Sequence, residues 1–166
     1  MINIENDFYN ANEAFEYFYK TISKHGINFA NTKALFNIGF TIHRPMLNNI
    51  ITEKRKWSKE YADAEWQWYL SADPSTEKLG EIYGKVPEIW KRMEDNSGNV
   101  NSNYGWQWNR YGQLDKVISK LDFDNETRQA CISIYDGKEI NKYAKDTPCT
   151  YAVQFTIVDN RLNMCV

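Results

Sequence analysis

An α+β fold is the architecture this sequence predicts. Apolar residues recur at helical spacing in several stretches between residues 11 and 121, strict alternation takes over from residue 130, and the turn pairs Asp136-Gly137 and Asp159-Asn160 punctuate the alternating part. The chain has 166 residues, 42% hydrophobic and 15% aromatic, which is enough to build the core of a single domain spanning 1–166. Its 20 Lys+Arg against 22 Asp+Glu leave a net charge of −2, and no basic patch stands out, so nucleic acid is not an expected partner. The stretch 1–12 is acidic and polar, and no segment approaches the roughly 20 apolar residues of a membrane span, so no membrane partner is expected and the cytoplasm is the expected compartment. Three cysteines and two isolated histidines, without ligand-type spacing, predict neither a disulfide scaffold nor a metal site.

Ala11, Ala14, Phe15, Phe18, Tyr19 and Ile22 define the first helix, with Gly26 placed to end it. Phe36, Ile38, Phe40 and Ile42 alternate with polar or small residues before Arg44-Pro45, and this spacing predicts a strand over 36–42. A second helix is predicted over 57–71, its apolar stripe made by Trp57, Tyr61, Ala64 and Trp68. Shorter helices follow over 76–83 and 88–93, then a polar loop over 94–103. Leu114, Val117, Ile118 and Leu121 mark a further helix at i, i+3, i+4, i+7 spacing. Strands close the pattern over 130–135 and 151–158, and Leu162, Met164 and Val166 alternate after the Asp159-Asn160 turn. The last alternation has no terminating signal, which reads as a strand cut short at Val166.

Three places carry residues with chemical potential. Glu65 falls inside the apolar stripe of the second helix. An inward carboxylate costs several kcal/mol unless it is paired, hydrogen-bonded or protonated, so it reads either as a functional acid or as the partner of a cation from another element. Cys149 stands where the Thr147-Pro148 loop gives way to a strand. On spacing alone it is either a packing thiol or a nucleophile activated by one of Arg44, Lys54, Arg55 and Arg128. The run 101–108, Asn-Ser-Asn-Tyr-Gly-Trp-Gln-Trp, mixes aromatic faces with amides, which suits either a planar ligand or a core flanked by turns.

Taken in order, Glu65-Trp66-Gln67-Trp68-Tyr69-Leu70, Ile89-Trp90, Asn101-Ser102-Asn103-Tyr104-Gly105-Trp106, Glu126-Thr127-Arg128-Gln129 and Pro148-Cys149-Thr150 followed by Gln154-Phe155 resemble the thymidylate synthase superfamily. Within it the match is to phage-type deoxypyrimidine nucleotide hydroxymethylases. The resemblance implies a sheet of that family's type packed with helices, truncated after the hairpin that follows the nucleophile. It implies transfer of a one-carbon unit from 5,10-methylenetetrahydrofolate to C5 of dCMP or dUMP, giving the 5-hydroxymethyl nucleotide. Cys149 and Glu65 would be the catalytic pair, Arg128, Tyr104, Asn103 and Gln154 would bind the nucleotide, and Trp90 and Trp106 the folate. A homodimer would form through the face of the sheet, with Arg128 reaching the neighbouring subunit's phosphate, in the cytoplasm of a host if the gene is a phage's.

The chain also departs from the family pattern. Arg128-Gln129 stands where two adjacent arginines are usual, only Lys33 occupies the stretch that usually supplies a phosphate-binding arginine, and Thr150 replaces the histidine common in synthases. The family's Arg-Ser, base-reading Asn and His-x-Tyr motifs would lie beyond Val166. A thymidylate synthase making dTMP, or a non-catalytic interaction protein of the same fold, are the alternatives.

Overall fold

Asn10 starts the first helix. In the computed structural model, which describes residues 4–166, its side chain accepts the N–H of Glu13 at 2.9 Å, while the Glu13 carboxylate accepts the N–H of Tyr9 at 2.7 Å. Two donors that a helix start leaves open are thereby satisfied. The opening residues of the acidic stretch 1–12, residues 1–3, lie outside the described residues. The chain forms two compact units, 1–59 and 60–166.

In the first unit, α1 (Ala11–His25) ends at Gly26, whose N–H bonds to the Ile22 carbonyl. Strand β1 (Asp7–Phe8) pairs in parallel with β4 (Thr41–Ile42), and β2 (Ile27–Phe29) pairs antiparallel with β3 (Thr32–Ala34). Phe8 is buried, its ring 5.3–5.9 Å from those of Tyr17, Phe18 and Phe40. The strand expected over 36–42 is confined to Thr41–Ile42. Asn37 takes φ +57°, a left-handed conformation that breaks an extended run. The alternation instead aims Phe36 at Phe29 and Phe40 at Phe8 and Phe18, so aromatic packing replaces the ladder.

The second unit is helical first and stranded last, as its pattern predicts. Helix α2 (Lys59–Ser71) begins two residues later than the stripe suggests, because Trp57 N–H is taken by the Arg55 carbonyl in a turn. Ser75 caps α3 (Thr76–Tyr83), which stops at Gly84 with φ +85°, and Pro87 precedes α4 (Glu88–Met93). The segment 101–108 supplies a helix that its composition did not announce, α5 (Tyr104–Asn109), with Asn103 as N-cap. After α6 (Gln113–Phe123), β5 (Cys131–Ser133), β6 (Ala152–Val158) and β7 (Arg161–Cys165) form one antiparallel sheet in sequence order. Asp159 and Asn160, both at positive φ, make the two-residue turn of the β6–β7 hairpin.

Two cores organise this unit. Val117 of α6 packs with Ala130, Ile132, Ile134 and Val153 of the sheet region, and Trp68 of α2 packs with Leu79 and Val100. Tyr104 borders the first core and Tyr69 the second, and their rings meet edge to face at 5.8 Å. The contact is closed by Gly105, where an added Cβ would lie 1.6 Å from the Tyr69 carbonyl oxygen. Among the described residues no helix is long and apolar enough to cross a membrane.

Gly105→Ala forces α5 away from α2 and costs at least about 3 kcal/mol, the severe end of overpacking, in urea denaturation of the full chain. Gly137→Ala, which meets nothing within 4 Å, shifts stability by less than about 0.5 kcal/mol in the same measurement.

Candidate active site

Glu65 is half-buried in the middle of α2, with tyrosines four residues before and four residues after it on the same helix face. The Tyr61 hydroxyl donates to Glu65 Oε1 at 3.1 Å, and the Tyr69 hydroxyl acts on the same carboxyl electrostatically. Burial raises the Glu65 carboxyl above its ordinary value of 4.5, and the two phenols partly offset the rise. Burial likewise pushes Tyr61 up to about 12 and Tyr69 higher still, so both stay protonated donors at neutral pH. Trp90, half-buried on α4, donates its indole N–H to the Tyr61 oxygen at 2.6 Å and packs edge-on against Trp68 at 5.3 Å.

Cys149 is exposed at the end of a loop whose position is set from the other side of the unit. Its N–H donates to the Tyr104 hydroxyl at 3.1 Å. Three residues earlier, buried Asp146 accepts both the N–H and the hydroxyl of Ser102 at 2.6 Å, and the Asn101 amide donates to the carbonyls of Lys142 and Asp146. The Cys149 loop is thus stitched to the segment that begins α5. Beside it lies an open depression of about 490 Å³ lined by Tyr135, Thr147, Pro148, Cys149 and Tyr151. A second concavity, about 610 Å³, is lined by Tyr61, Tyr83, Lys85, Val86, Pro87, Glu88 and Ile89.

The structure therefore links four of the residues singled out in the sequence. Trp90 reaches Glu65 through Tyr61, and Glu65 reaches the Tyr104 that holds Cys149 through Tyr69. The other four lie apart from this chain of contacts or serve it from behind. Asn103 is fully buried, its amide donating to the carbonyls of Asp73 and Trp68 while its oxygen caps α5. Trp106 lies 5.7 Å from the Arg110 guanidinium. Gln154 is exposed on β6, between Cys131 of β5 and Cys165 of β7. Arg128 is exposed between α6 and β5 and makes no hydrogen bond or ion pair among the described residues. Tyr61 and Tyr69 as partners of Glu65 were legible from their i±4 spacing. No local signal marks Asp146 or Ser102, which meet across 44 positions of sequence.

Comparison with known proteins fits this geometry. The thymidylate synthase family model matches residues 15–166. The deoxycytidylate 5-hydroxymethyltransferases of Enterobacteria phages T4, T2 and T6 are each 33% identical over 115 residues, which is 64% of this chain and 45% of theirs. The chain thus spans a little under half the length of these curated relatives. The crystal structure of thymidylate synthase from T4 phage is similar with a TM-score of 0.52 at 22% identity, over 66% of this chain and 43% of that one. Thermostable thymidylate synthase A from Bacillus subtilis is similar with a TM-score of 0.65 at 18% identity, over 92% of this chain and 62% of that one. At these identities the structural likeness is one of fold.

Asp146→Ala leaves two buried Ser102 donors without an acceptor and costs about 3 kcal/mol in denaturant titration. For Glu65, the folded state holds its proton more tightly than the unfolded chain, so its contribution to stability is full below 4.5 and is lost as pH rises through the folded midpoint. The melting temperature of Glu65→Gln minus that of the unaltered chain accordingly grows more positive as pH is raised from 4 to 8 in a calorimetric series.

Proposed function

The chain belongs to the thymidylate synthase family, and from that premise we propose that it transfers a one-carbon unit from 5,10-methylenetetrahydrofolate to C5 of a deoxypyrimidine monophosphate, giving the 5-hydroxymethyl nucleotide. The observation that carries this reading is the phenol-lined path from Glu65 through Tyr69 and Tyr104 to the backbone of Cys149, which gives one site both a nucleophile and an acid. The likeness to the three phage deoxycytidylate hydroxymethyltransferases favours hydroxymethyl over methyl as the group delivered.

Cys149 forms a bond from Sγ to C6 of the pyrimidine, and the electron pair of the C5=C6 bond moves onto C5 and the C4 substituent. C5 becomes nucleophilic as a result. The folate, when bound, supplies an electrophilic carbon at the oxidation level of formaldehyde. Glu65, its carboxyl raised by burial, holds a proton near neutral pH more readily than an exposed acid and delivers or accepts it through water at the reacting carbon. C5, bonded to that carbon with release of tetrahydrofolate, gives up its proton by way of Glu65; water adds to the carbon as the hydroxyl, and departure of the Cys149 thiolate from C6 restores the C5=C6 double bond.

The residues present fit such a cofactor. The concavity beside Tyr61 has apolar and aromatic walls from Ile89, Pro87 and Tyr83 for a flat ring, and Lys85 for an anionic tail. Trp90 would contact the same ligand, with Trp106 as a further folate contact. Tyr104 would hold the pyrimidine beside Cys149, Arg128 would take the nucleotide phosphate, and Gln154 and Asn103 would complete the nucleotide side, Asn103 by fixing the start of α5 under Tyr104. Both compact units belong to one domain in this reading, since the family match runs across residue 59. A homodimer forms through the sheet face carrying Cys131, Gln154 and Cys165, which no element of this unit covers.

Incubating the full chain with methylenetetrahydrofolate and either dCMP or dUMP yields a 5-hydroxymethyl nucleotide and tetrahydrofolate, resolved by chromatography. Dihydrofolate in place of tetrahydrofolate identifies a synthase instead, and absence of both, together with no calorimetric binding of either nucleotide, identifies a non-catalytic member. Cys149→Ser lowers product formation by at least about 1,000-fold, and Glu65→Gln by about 100-fold or more.

A further inference from the structure

Tyr61 and Tyr69 flank Glu65 on one face of α2, and Tyr61 hydrogen-bonds its carboxylate. Tyr61 stands one helical turn before Glu65, and its ring packs edge-on against Tyr83 at 5.3 Å. Its oxygen receives the Trp90 indole N–H at 2.6 Å, and its hydroxyl donates to Glu65 Oε1 at the longer distance of 3.1 Å. An indole N–H can only donate, and an ionised carboxylate can only accept. With Trp90 on a lone pair of the phenol oxygen, the phenol proton is directed to Glu65. The order of donors is therefore Trp90 to Tyr61 to Glu65, and it is set by chemistry rather than by a choice of rotamer.

We propose that Tyr61 is the positioning residue of the catalytic carboxylate, a phenol locked by Trp90 that fixes the orientation of Glu65 and favours its charged form. This rests on the reading of Glu65 as the proton-managing acid. The consequence is a balance. Burial drives the carboxyl upward, and the Tyr61 donor opposes that rise. The titratable groups facing this centre are Tyr61 and Tyr69 from α2, Tyr83 from the end of α3 against Tyr61, and Tyr104 from α5 against Tyr69. Tyr83 acts on Tyr61 and not on the carboxylate, which makes it the natural control.

The test is a carbon-13 NMR titration of the Glu65 side-chain carboxyl in the full chain, assigned by its loss in Glu65→Gln. Tyr61→Phe keeps the ring against Tyr83 and removes the donor to Glu65 together with the acceptor of the Trp90 indole N–H, so the Glu65 midpoint rises by about one pH unit. Tyr83→Phe leaves that midpoint where it was. An unchanged or lowered midpoint in folded Tyr61→Phe overturns the proposal. The unaltered chain gives a second reading that no folding defect can mask. The Cζ resonance of Tyr61 shows an inflection at the Glu65 midpoint, and a Tyr61 signal flat through that pH overturns the proposal equally. If the chain turns over nucleotide, the acidic limb of kcat/KM in Tyr61→Phe moves upward with the NMR midpoint. If it does not, the proposed activity falls while the carboxylate titration still decides the role of Tyr61.

Discussion

The approach of α5 to α2 at Gly105 is the contact on which the rest of the second unit depends. No side chain separates the helix from the Tyr69 carbonyl, and the position tolerates none, since a Cβ would fall inside the oxygen. Asn103 secures the same contact from two residues earlier, because its amide reaches back to the carbonyls of Trp68 and Asp73 while its oxygen caps α5. A buried amide satisfied at both ends has one position of low energy. Tyr104 follows directly, and its ring is thereby set against Tyr69 while its hydroxyl is set beneath the backbone of Cys149.

From that contact the electrostatics of the site follow. Glu65 lies one turn before Tyr69, so whatever places Tyr69 also bounds the space in which the carboxylate sits. The helix cannot turn it out to solvent without withdrawing Trp68, which is fully buried and tied through its indole N–H to the Ser75 carbonyl at 2.9 Å. An acid that cannot escape must be neutralised, paired or solvated by fixed dipoles. This chain takes the last course, with tyrosines at both i−4 and i+4. A cation in the same place would have held the carboxyl low and ionised, useful for structure and poor for moving protons.

Much of this was legible in the sequence, and the unevenness has physical reasons. Helices α3 and α4 and the β6–β7 hairpin follow local rules, a Ser cap, a Pro start, an Asp-Asn turn, and they stand where the pattern puts them. The inward placement of Glu65 follows from 3.6-residue periodicity and was readable as such. The strand over 36–42 failed because alternation records only which side chains share a face, and Phe36 and Phe40, still exposed, find ring partners in Phe29, Phe8 and Phe18 without a ladder. Helix α5 went unread because it is six residues long and its apolar positions are large aromatics interrupted by amides, too short for a period to register. The bonds of Asp146 to Ser102 were beyond any local reading, since a contact across 44 positions leaves no spacing to find.

The site asks opposite things of its two reactive groups, and the fold answers by giving them different supports. In the proposed reaction a thiol must add to a ring and later leave it, which needs access, and Cys149 is exposed at the lip of a depression. Access alone would leave it mobile. The constraint is therefore moved off the side chain and onto the backbone, through the Cys149 N–H on Tyr104 and the Asp146 carboxylate on Ser102, both of which act without touching the sulfur. The proposed acid needs the reverse, shelter for the side chain itself, and half-buried Glu65 has it on a helix face whose neighbours are rings. The exposed thiol and the sheltered carboxyl then share Tyr69 and Tyr104 as a common wall, so a displacement of either helix would disturb both groups together. Preorganisation of this kind costs nothing at the moment of reaction, because the ordering is done by folding.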